Sequence, residues 1–571
     1  MTAPDAQSRR AFLEARDLLL RHRSDYGTAK REFRWPVLGR FNWALDYFDR
    51  LQETHSGPAL IVRRDDSRRL QLSFADLSAR SNQVAELLAE NGVRRGDRVQ
   101  VMLPNIVELW ETTLACIKLG AVVVPATVQL TQGDIEDRIA RGGVKHVVTD
   151  ASGRAKIEAV AGFAGRFLVG GEAPGFVPYA ASGACSTTFA PHGETLATDP
   201  MLLYFTSGTT AKPKLVVHTH ESYPVGHLST MYWLGLQPGD VHWNISSPGW
   251  AKHAWSNVFA PWNAGATVFV HDTARFVPRR ALELLKDESI NTLCAPPTVW
   301  RMLILEDLAQ HPNSVRELCS AGEPLNPEVI DRVERAWGRT IRDGFGQTET
   351  TALVGNSPGQ KVIPGSMGRA LPGYEIFLAE ERDGHADGEV SIGMSPRPTG
   401  LMVGYEDDPE LTAQAMRDDR YHTGDVATRD AEGYITYVGR ADDVFKASDY
   451  RISPFELESV LLEHAAVAEA AVVPSPDAVR LAVPKAFVVL KPGELASEAL
   501  GRSIIEFVRE RVPPYKRIKR LEFVAASDTL DAQGLILPKT ISGKIRRVEL
   551  RDREASRAEP LVRGAHEIWD D

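Results

Sequence analysis

The sequence is poor in cysteine, and the few that it has lie far apart. Of 571 residues only Cys116, Cys185, Cys294 and Cys319 are cysteines, and none belongs to a C-x-x-C pair. The sequence therefore suggests neither a zinc site nor a redox dithiol. It also lacks an apolar stretch long enough to span a bilayer and an apolar signal core at the N-terminus. These absences predict a cytoplasmic protein with free thiols and no membrane span.

An excess of positive charge is absent as well. The chain carries 66 lysines and arginines against 76 acidic residues, a formal net charge of −10, which argues against a general nucleic-acid-binding protein. No internal repeat or low-complexity linker interrupts an ordinary globular composition, 43% hydrophobic and 25% charged. The length exceeds what one hydrophobic core supports, so at least two domains are expected.

Strand-like and helical segments alternate between about residues 75 and 350. Arg98–Leu103 and Thr292–Ala295 are predicted strands, and each precedes a helical pattern. Repeated strand–loop–helix units predict a largely parallel sheet, in which ligands collect on the loops that follow the carboxyl ends of the strands. Three polar loops fall at such ends, namely 206–214, 322–327 and 344–349.

The amino-acid composition changes after this region. Residues 365–440 are richer in glycine and in β-branched or aromatic residues, which favours a small antiparallel unit. Beyond residue 440, Ser453-Pro-Phe-Glu456 has the pattern of a helix N-terminus with proline at the first helical position. Strands near 467–473, 485–490 and 521–525 and a helix near 498–511 predict a compact α+β domain of about 130 residues.

The loop Thr206–Lys214 is the most informative motif. It follows the apolar run Met201–Phe205, a predicted buried strand. Gly208 lets the backbone turn and present N–H groups, while neighbouring hydroxyls and lysines offer donors and positive charge. Such a loop suits a polyphosphate, although its glycine spacing differs from that of the G-x-x-x-x-G-K-[ST] loop. A Ser/Thr-rich surface turn is the structural alternative.

Five motifs in order resemble the adenylate-forming superfamily of acyl-CoA synthetases, carrier-protein adenylation domains and firefly-type luciferases. They are Thr206–Lys214, Gly344–Thr350, Tyr421–Asp425, Gly439–Arg451 and Pro538–Lys544. The segment 248–262 is most similar to medium-chain acyl-CoA synthetases. The resemblance implies an α/β fold with three parts. Residues 1–439 would form an N-terminal domain of parallel β/α subdomains plus a small β-barrel-like unit, residues 440–443 a hinge, and residues 444–571 a small, mobile α+β domain.

The resemblance also implies a two-step reaction that uses ATP, Mg²⁺ and CoA. A carboxylate attacks the α-phosphate of ATP to give an acyl-adenylate and pyrophosphate, and a thiol then displaces AMP. Tryptophans and small residues suit a compact apolar acid: medium-chain, branched or aromatic. Two alternatives stay open: an adenylating enzyme that loads a separate carrier protein, and a non-catalytic nucleotide-binding sensor. The resemblance allows a monomer or a homodimer.

Individual roles follow from the same resemblance. Lys544, on a flexible tip, would act on the carboxylate and α-phosphate in the first step, and Lys446 would enter the site in the second, after rotation at the hinge residue Asp442. Glu349 would bind Mg²⁺, and Asp425 would accept hydrogen bonds from the ribose hydroxyls. The other nucleotide contacts, from the phosphates to the adenine, would be Thr206, Ser207, Gly208, Thr209, Thr210, Lys214, Gly322, Glu323, Pro324, Gly344, Phe345, Gly346, Gln347, Thr348, Arg440 and Arg451.

The acyl and CoA sites are assigned in the same way. Trp250 and Trp255 would wall the acyl pocket and Leu353 would lie near its floor; plain core packing is the alternative for Trp255. Asp449 departs from the family, because it aligns with a glycine that lines the pantetheine tunnel in many relatives. Its carboxylate either narrows the tunnel or turns outward. Contacts with CoA would come from Ser448, Asp449 and Arg480.

Overall fold

The computed structural model describes residues 6–206, 213–382, 385–447, 450–477, 481–525, 536–540, 544–557, 563–564 and 567–570. These residues form two large, mainly parallel sheets flanked by helices, a small antiparallel sheet and a C-terminal α+β unit. The predicted α/β class is therefore confirmed. Within the described residues, no helix has the length and apolarity needed to cross a membrane.

The first large sheet carries the predicted phosphate loop. The strand Pro200–Thr206 and the five strands on one side of it run parallel to one another. On its other side, Lys214–Thr219 and Gly404–Tyr405 form one edge of the sheet, and each pairs antiparallel with its neighbour. Its central strand Arg98–Met102 is buried over four consecutive residues, as expected for a parallel strand covered on both faces. The spatial order is Gly404–Tyr405, Lys214–Thr219, Pro200–Thr206, Val122–Pro125, Arg98–Met102, Val144–Asp150, Gly165–Val169 and Val177–Pro178.

The second large sheet carries the other two polar loops. Its central strands are parallel, and antiparallel strands close both edges. The predicted strand Thr292–Ala295 lies in its middle. The spatial order is Arg369–Ala370, Ala352–Gly355, Ile341–Gly346, Glu317–Ala321, Thr292–Ala295, Val241–Asn244, Thr267–Asp272, Pro58–Arg64 and Arg69–Ser73.

Residues 376–440 form the small antiparallel sheet that the sequence predicts. Its long strands His385–Gly393 and Arg420–Arg429 pair with each other, and Ile435–Arg440 adds to the second of them. The shorter strands are Ile376–Phe377, Glu380–Arg382 and Met416–Arg417.

The helices begin and end where local chemistry favours it. Ser73 and Thr131 each form a capping box, and Gly120 ends a helix with φ 68°, where only glycine is unstrained. The α-helices are Ala6–Arg21, Tyr26–Glu32, Phe74–Glu90, Val107–Leu119, Gln132–Ala140, Ala151–Glu158, His227–Leu234, Ala251–Ala254, Ala260–Asn263, Pro278–Asp287, Pro297–Leu303, Pro327–Trp337, Pro409–Ala415, Pro454–Leu462, Glu498–Arg509 and Arg547–Ala555. Wider π-helical turns span Trp43–Tyr47 and Trp255–Phe259, and 3₁₀ turns span Phe48–Glu53, Tyr179–Ala184, Leu308–Gln310 and Pro514–Lys516.

The C-terminal unit has its own hydrophobic core, drawn from residues 447–568. Its first helix begins as predicted, because the Ser453 hydroxyl accepts the Glu456 N–H and Pro454 takes the first helical position. The hairpin Phe445–Ala447 and Tyr450–Ile452 precedes that helix. The remaining strands are Val467–Asp477, Leu481–Leu490, Arg520–Phe523 and Glu567–Trp569, paired in that order.

Candidate active site

The predicted phosphate loop joins the antiparallel strands Pro200–Thr206 and Lys214–Thr219 of the first sheet. These two strands and their loop are called the phosphate hairpin below. Thr206 ends one strand and pairs in register with Lys214, which begins the next. The hydroxyl of Thr206 is buried and lacks a hydrogen-bond partner among the described residues, so it is available to a ligand oxygen. The predicted contacts Ser207, Gly208, Thr209 and Thr210 lie outside the described residues.

Tight packing explains the glycines of the 344–349 loop. A Cβ atom on Gly344 would lie 2.4 Å from Cε2 of Trp233, and one on Gly346 would lie 2.6 Å from Cη2 of Trp255. Neither position can hold a side chain without moving an indole ring. Phe345, between them, directs its ring toward Tyr437, with 6.3 Å between centroids.

Glu349 contacts Tyr405, which lies in the strand that pairs with Lys214–Thr219 of the phosphate hairpin. The Tyr405 hydroxyl donates to Oε1 of Glu349 at 3.0 Å, and the Met402 N–H donates to the main-chain carbonyl of Glu349 at 2.8 Å. The ammonium of Lys214 lies 5.1 Å from the centre of the Tyr405 ring. Carboxylate oxygen is the ligand type that Mg²⁺ prefers, so the donor chemistry of Glu349 fits the metal that the resemblance implies.

Three donors surround the carboxylate of Asp425. Arg440 lies opposite it in the paired strand, with Nη1 3.3 Å from Oδ2. Tyr437 donates to Oδ1 at 3.1 Å, and the side-chain amide of Gln347 donates to Oδ2. Burial raises the pKa of Asp425, and the charge of Arg440 opposes that rise. Gln347, Asp425 and Arg440, predicted separately from the sequence, are thus in direct contact.

The predicted adenine loop follows strand Glu317–Ala321. Gly322 has φ 104°, and a Cβ atom there would meet no atom within 4 Å, so space is open beside the loop. The carboxylate of Glu323 lies 3.8 Å from Arg301 and is partly exposed. Pro324 then leads toward helix Pro327–Trp337.

Two ionisable groups near this loop, the buried Asp343 and the half-buried Lys252, have no role in the sequence-based prediction. Burial raises the pKa of Asp343 to about 7, and its carboxyl accepts the Gly344 N–H at 2.9 Å. Lys252 donates to the carbonyl of Ala321 at 2.8 Å. Burial lowers the pKa of Lys252, and Asp343 raises it, so the two groups share one electrostatic environment.

Lys544 faces the same environment from the C-terminal unit. Its side chain is exposed, and its positive charge contributes to the lowered pKa of Lys252, after the larger effect of burial. The main chain of Lys544 is held by Thr540, whose hydroxyl accepts the Lys544 N–H at 3.1 Å. The role of Lys544 in the nucleotide chemistry stays a prediction.

The predicted hinge residue Asp442 lies in a turn between the strand Ile435–Arg440 and the strand Phe445–Ala447. The carboxylate of Asp442 lies 3.5 Å from Nε of Arg440 and 3.8 Å from Nη2 of Arg551. Lys446 and Arg451 lie opposite each other in the hairpin that follows. Ser448, Asp449 and Arg480, the predicted CoA contacts, lie outside the described residues.

The three predicted acyl-pocket residues differ in their surroundings. Trp250 is half-buried and precedes helix Ala251–Ala254. Trp255 is buried in the main hydrophobic core and also packs against Gly346. Leu353 is fully buried in strand Ala352–Gly355. Core packing and a wall beside the 344–349 loop are both compatible with Trp255, so the pocket assignment stays a prediction.

The tyrosines that hold the acidic groups are absent from the sequence-based prediction. Tyr405 contacts Glu349, which is 56 residues away in sequence, and Tyr437 contacts Asp425. His218 contacts the main chain of Thr348 across 130 residues. Tyr437 had one local signal, because it lies in the same strand as Arg440 and close to the motif that begins at Gly439. The contacts of Tyr405 and His218 join segments of the two large sheets that are far apart in the chain.

Comparison with known proteins shows the family of the chain. The AMP-binding enzyme family matches residues 48–405, and the AMP-binding enzyme C-terminal domain matches residues 456–544. The chain is 38% identical over 559 residues to mitochondrial acyl-coenzyme A synthetase ACSM3 of Mus musculus, covering 93% of each chain. It is 42% identical over 529 residues to 4-hydroxybutyrate–CoA ligase 1 of Metallosphaera sedula, covering 90% of this chain and 91% of that protein.

Solved structures share the fold over nearly the whole chain. A crystal structure of the anthranilate CoA ligase AuaEII in complex with anthranoyl-AMP matches with a TM-score of 0.80 and 28% identity, covering 91% of this chain and 98% of that chain. The acyl-CoA synthetase of Brucella canis matches with a TM-score of 0.70 and 32% identity, covering 93% and 99%. This chain therefore belongs to the adenylate-forming family of AMP-binding enzymes, as its five ordered motifs predicted.

Proposed function

We propose that the chain is an ATP-dependent carboxylic acid:CoA ligase that forms an acyl-adenylate and then an acyl-CoA, with release of pyrophosphate and AMP. The observation that carries the proposal is the set of contacts that joins Asp425 to Gln347 and Arg440, and Glu349 to Tyr405. Lys544 would supply the cationic group of the first step. The acyl-CoA synthetases and CoA ligases among the relatives support the same reaction.

In the first half-reaction the chain binds ATP and orients its α-phosphate. The carboxylate of Asp425 accepts hydrogen bonds from the ribose hydroxyls, and the hairpin at Thr206 and Lys214 binds the terminal phosphates. Thr348 contacts the α-phosphate, and Lys544 neutralises the charge that develops as the acid attacks it. Glu349 would hold Mg²⁺, which neutralises phosphate charge when bound.

In the second half-reaction the thiol of CoA attacks the acyl carbon, and AMP leaves. We assign the boundaries 1–439, 440–443 and 444–571 to the N-terminal domain, the hinge and the mobile domain. Rotation at Asp442 would replace Lys544 by Lys446 at the same site, so one pocket serves two transition states. The contacts with CoA are assigned to Ser448, Asp449 and Arg480, and those with the phosphates include Arg451.

The acid is proposed to be compact and apolar: medium-chain, branched or aromatic. The proposal is supported by the large aromatic side chain of Trp255 beside Gly346 and by the half-buried Trp250, since apolar walls suit an apolar acid. A cytoplasmic location stays a prediction, and the ACSM3 relatives are named as mitochondrial. A homodimer is likewise compatible with the resemblance.

The test is to incubate the purified protein with ATP, Mg²⁺ and a panel of carboxylic acids, with and without CoA, and to detect AMP, acyl-AMP and acyl-CoA by mass spectrometry. Acyl-CoA from compact apolar acids is expected. Lys544→Ala serves as the matched control, in which acyl-AMP formation should fall. Acyl-AMP that accumulates equally with and without CoA would favour a carrier protein as the acceptor. Nucleotide binding without turnover of any acid would favour the sensor.

A further inference from the structure

His218 links the phosphate hairpin to the loop that carries Thr348. It lies on strand Lys214–Thr219, four residues after the end of the phosphate loop, and is fully buried. Nε2 of His218 lies 2.8 Å from the main-chain carbonyl oxygen of Thr348. The contact joins the two loops that the proposed function assigns to the terminal phosphates and to the α-phosphate.

The partners of the ring fix its protonation state. A carbonyl oxygen only accepts, so Nε2 carries a proton and donates to Thr348. Nδ1 lies 3.0 Å from the Ser222 hydroxyl, which also accepts the Thr219 N–H at 2.8 Å. In a neutral ring Nδ1 then accepts the hydroxyl proton of Ser222. Burial lowers the pKa of His218 to about 4, which keeps the imidazole neutral near pH 7.

The loop is held from its other side by different groups. Tyr405 donates to the carboxylate of Glu349, and the Met402 N–H donates to the Glu349 carbonyl. Tyr405 pairs with Val216, two residues before His218 in the phosphate hairpin strand. Thr348 and Glu349 are therefore contacted by the side chains of His218 and Tyr405, respectively, and the strands of these two side chains pair with each other.

We propose that His218 is a positioning residue for the adenylation half-reaction, because its Nε2–H fixes the carbonyl of Thr348 and so places the Thr348 hydroxyl and the Glu349 carboxylate relative to the phosphate hairpin. This inference rests on the proposed function. A hydrogen bond that sets the angle between two phosphate-binding loops affects the α-phosphate more than the acid, since small displacements of a reacting group are costly in rate. His218 itself touches no substrate in this assignment.

Two substitutions separate the two ring nitrogens. In His218→Gln the side-chain amide nitrogen takes the place of Nε2 and can donate to the Thr348 carbonyl, whereas in His218→Asn the shorter amide takes the place of Nδ1 and leaves that carbonyl without its donor. We expect His218→Asn to lower kcat/KM for ATP in acyl-AMP formation about 10- to 100-fold. His218→Gln should retain most of the activity, and KM for the acid should change little in both variants.

His242→Asn is the matched control for loss of a buried histidine. His242 is equally buried and also bonds through both ring nitrogens, to Thr292 at 2.6 Å and to Ser256 at 2.8 Å, but it lies in the second sheet. The two asparagine variants should lose comparable thermal stability, and only His218→Asn should bind AMP more weakly in titration calorimetry without acid. Equal behaviour of His218→Asn and His218→Gln, or unchanged AMP affinity in His218→Asn, would overturn the proposal.

Ser222→Ala provides a milder probe if His218→Asn does not fold. It removes the donor to Nδ1 and frees the imidazole to rotate away from Thr348, so a smaller loss in adenylation and in AMP affinity is expected; no loss would count against the role of His218. Acyl-AMP formation by the unsubstituted protein tests the proposed function separately. If it forms no acyl-AMP from any acid, the ligase assignment fails, whereas AMP affinity still decides the role of His218.

Discussion

Replacement of Lys485 by methionine should destabilise the C-terminal unit in a pH-dependent way. The ammonium of Lys485 is 1% exposed and contacts three carboxylates that are at most 5% exposed: those of Glu522 at 2.7 Å, Glu554 at 2.7 Å and Glu567. The three carboxylates have the spacing of a metal site, but the lysine occupies the centre. Methionine preserves the length of the side chain and removes the charge.

The expected loss of stability depends on the cations that remain in contact with the three carboxylates. Arg557 contacts Glu554 at 3.1 Å as well as Glu567, and Arg553 contacts Glu522 at 2.6 Å, so each carboxylate keeps a more exposed cation. Loss of one partner from a buried ionic network costs about 3–5 kcal/mol, which is a large share of the roughly 5–15 kcal/mol that stabilises a domain. The C-terminal unit should therefore open at lower denaturant while the remaining fold persists.

The pH dependence has a definite sign. Burial raises the pKa of Glu567, but hydrogen bonds from Arg557 and Lys485 outweigh burial and lower it to about 2. This carboxylate stabilises the fold above its unfolded pKa of about 4.3, and the contribution is lost as the pH falls toward 2. In Lys485→Met the Glu567 carboxylate loses one of these hydrogen bonds and protonates more readily, so the difference from the parent should be largest near neutral pH and shrink as the pH falls below about 4.

Hydrogen exchange with mass spectrometry measures the opening free energy of the strands Leu481–Leu490 and Glu567–Trp569 directly. Lys519→Met is the matched control, because Lys519 pairs with Asp570 at 2.8 Å but is 23% exposed; its loss should cost less than about 1 kcal/mol. If the two variants lose equal stability, or if the loss in Lys485→Met is the same at pH 7.5 and at about pH 3, the reasoning is refuted.

Three further predictions concern the proposed chemistry. Lys544→Ala should slow acyl-AMP formation about 100- to 1,000-fold and thioester formation from supplied acyl-AMP far less; equal loss in rapid-quench assays of both steps would contradict its role. Asp425→Asn should raise KM for ATP about 10- to 100-fold, because it weakens the ribose acceptor and removes the ion pair between Asp425 and Arg440; an unchanged KM in steady-state kinetics counts against the ribose site. Glu349→Gln should raise the Mg²⁺ concentration for half-maximal adenylation, measured by MgCl₂ titration, and an unchanged midpoint would exclude Glu349 as the ligand.

Much of the fold was predictable from the sequence because its signals are local. The buried run at Arg98–Met102, the helix start at Ser453 and the strand Thr292–Ala295 follow from hydrophobic patterning and capping chemistry within a few residues. The three polar loops were placed at one edge because parallel strands end on the same side of a sheet. The five motifs, in order, were sufficient to predict the adenylate-forming family, and the comparisons confirmed it.

The supporting contacts were decided only by tertiary structure. Lys252 and Asp343 gained their shifted pKa values from burial, which no local pattern specifies. His218 reached Thr348, and Tyr405 reached Glu349, because the fold packs segments of the two large sheets side by side. The sequence by itself determined which groups are available for nucleotide chemistry, since residue types fix charge and hydrogen bonding. Tertiary structure decided how those groups are held and how water is excluded from them, because both depend on neighbours far away in the chain.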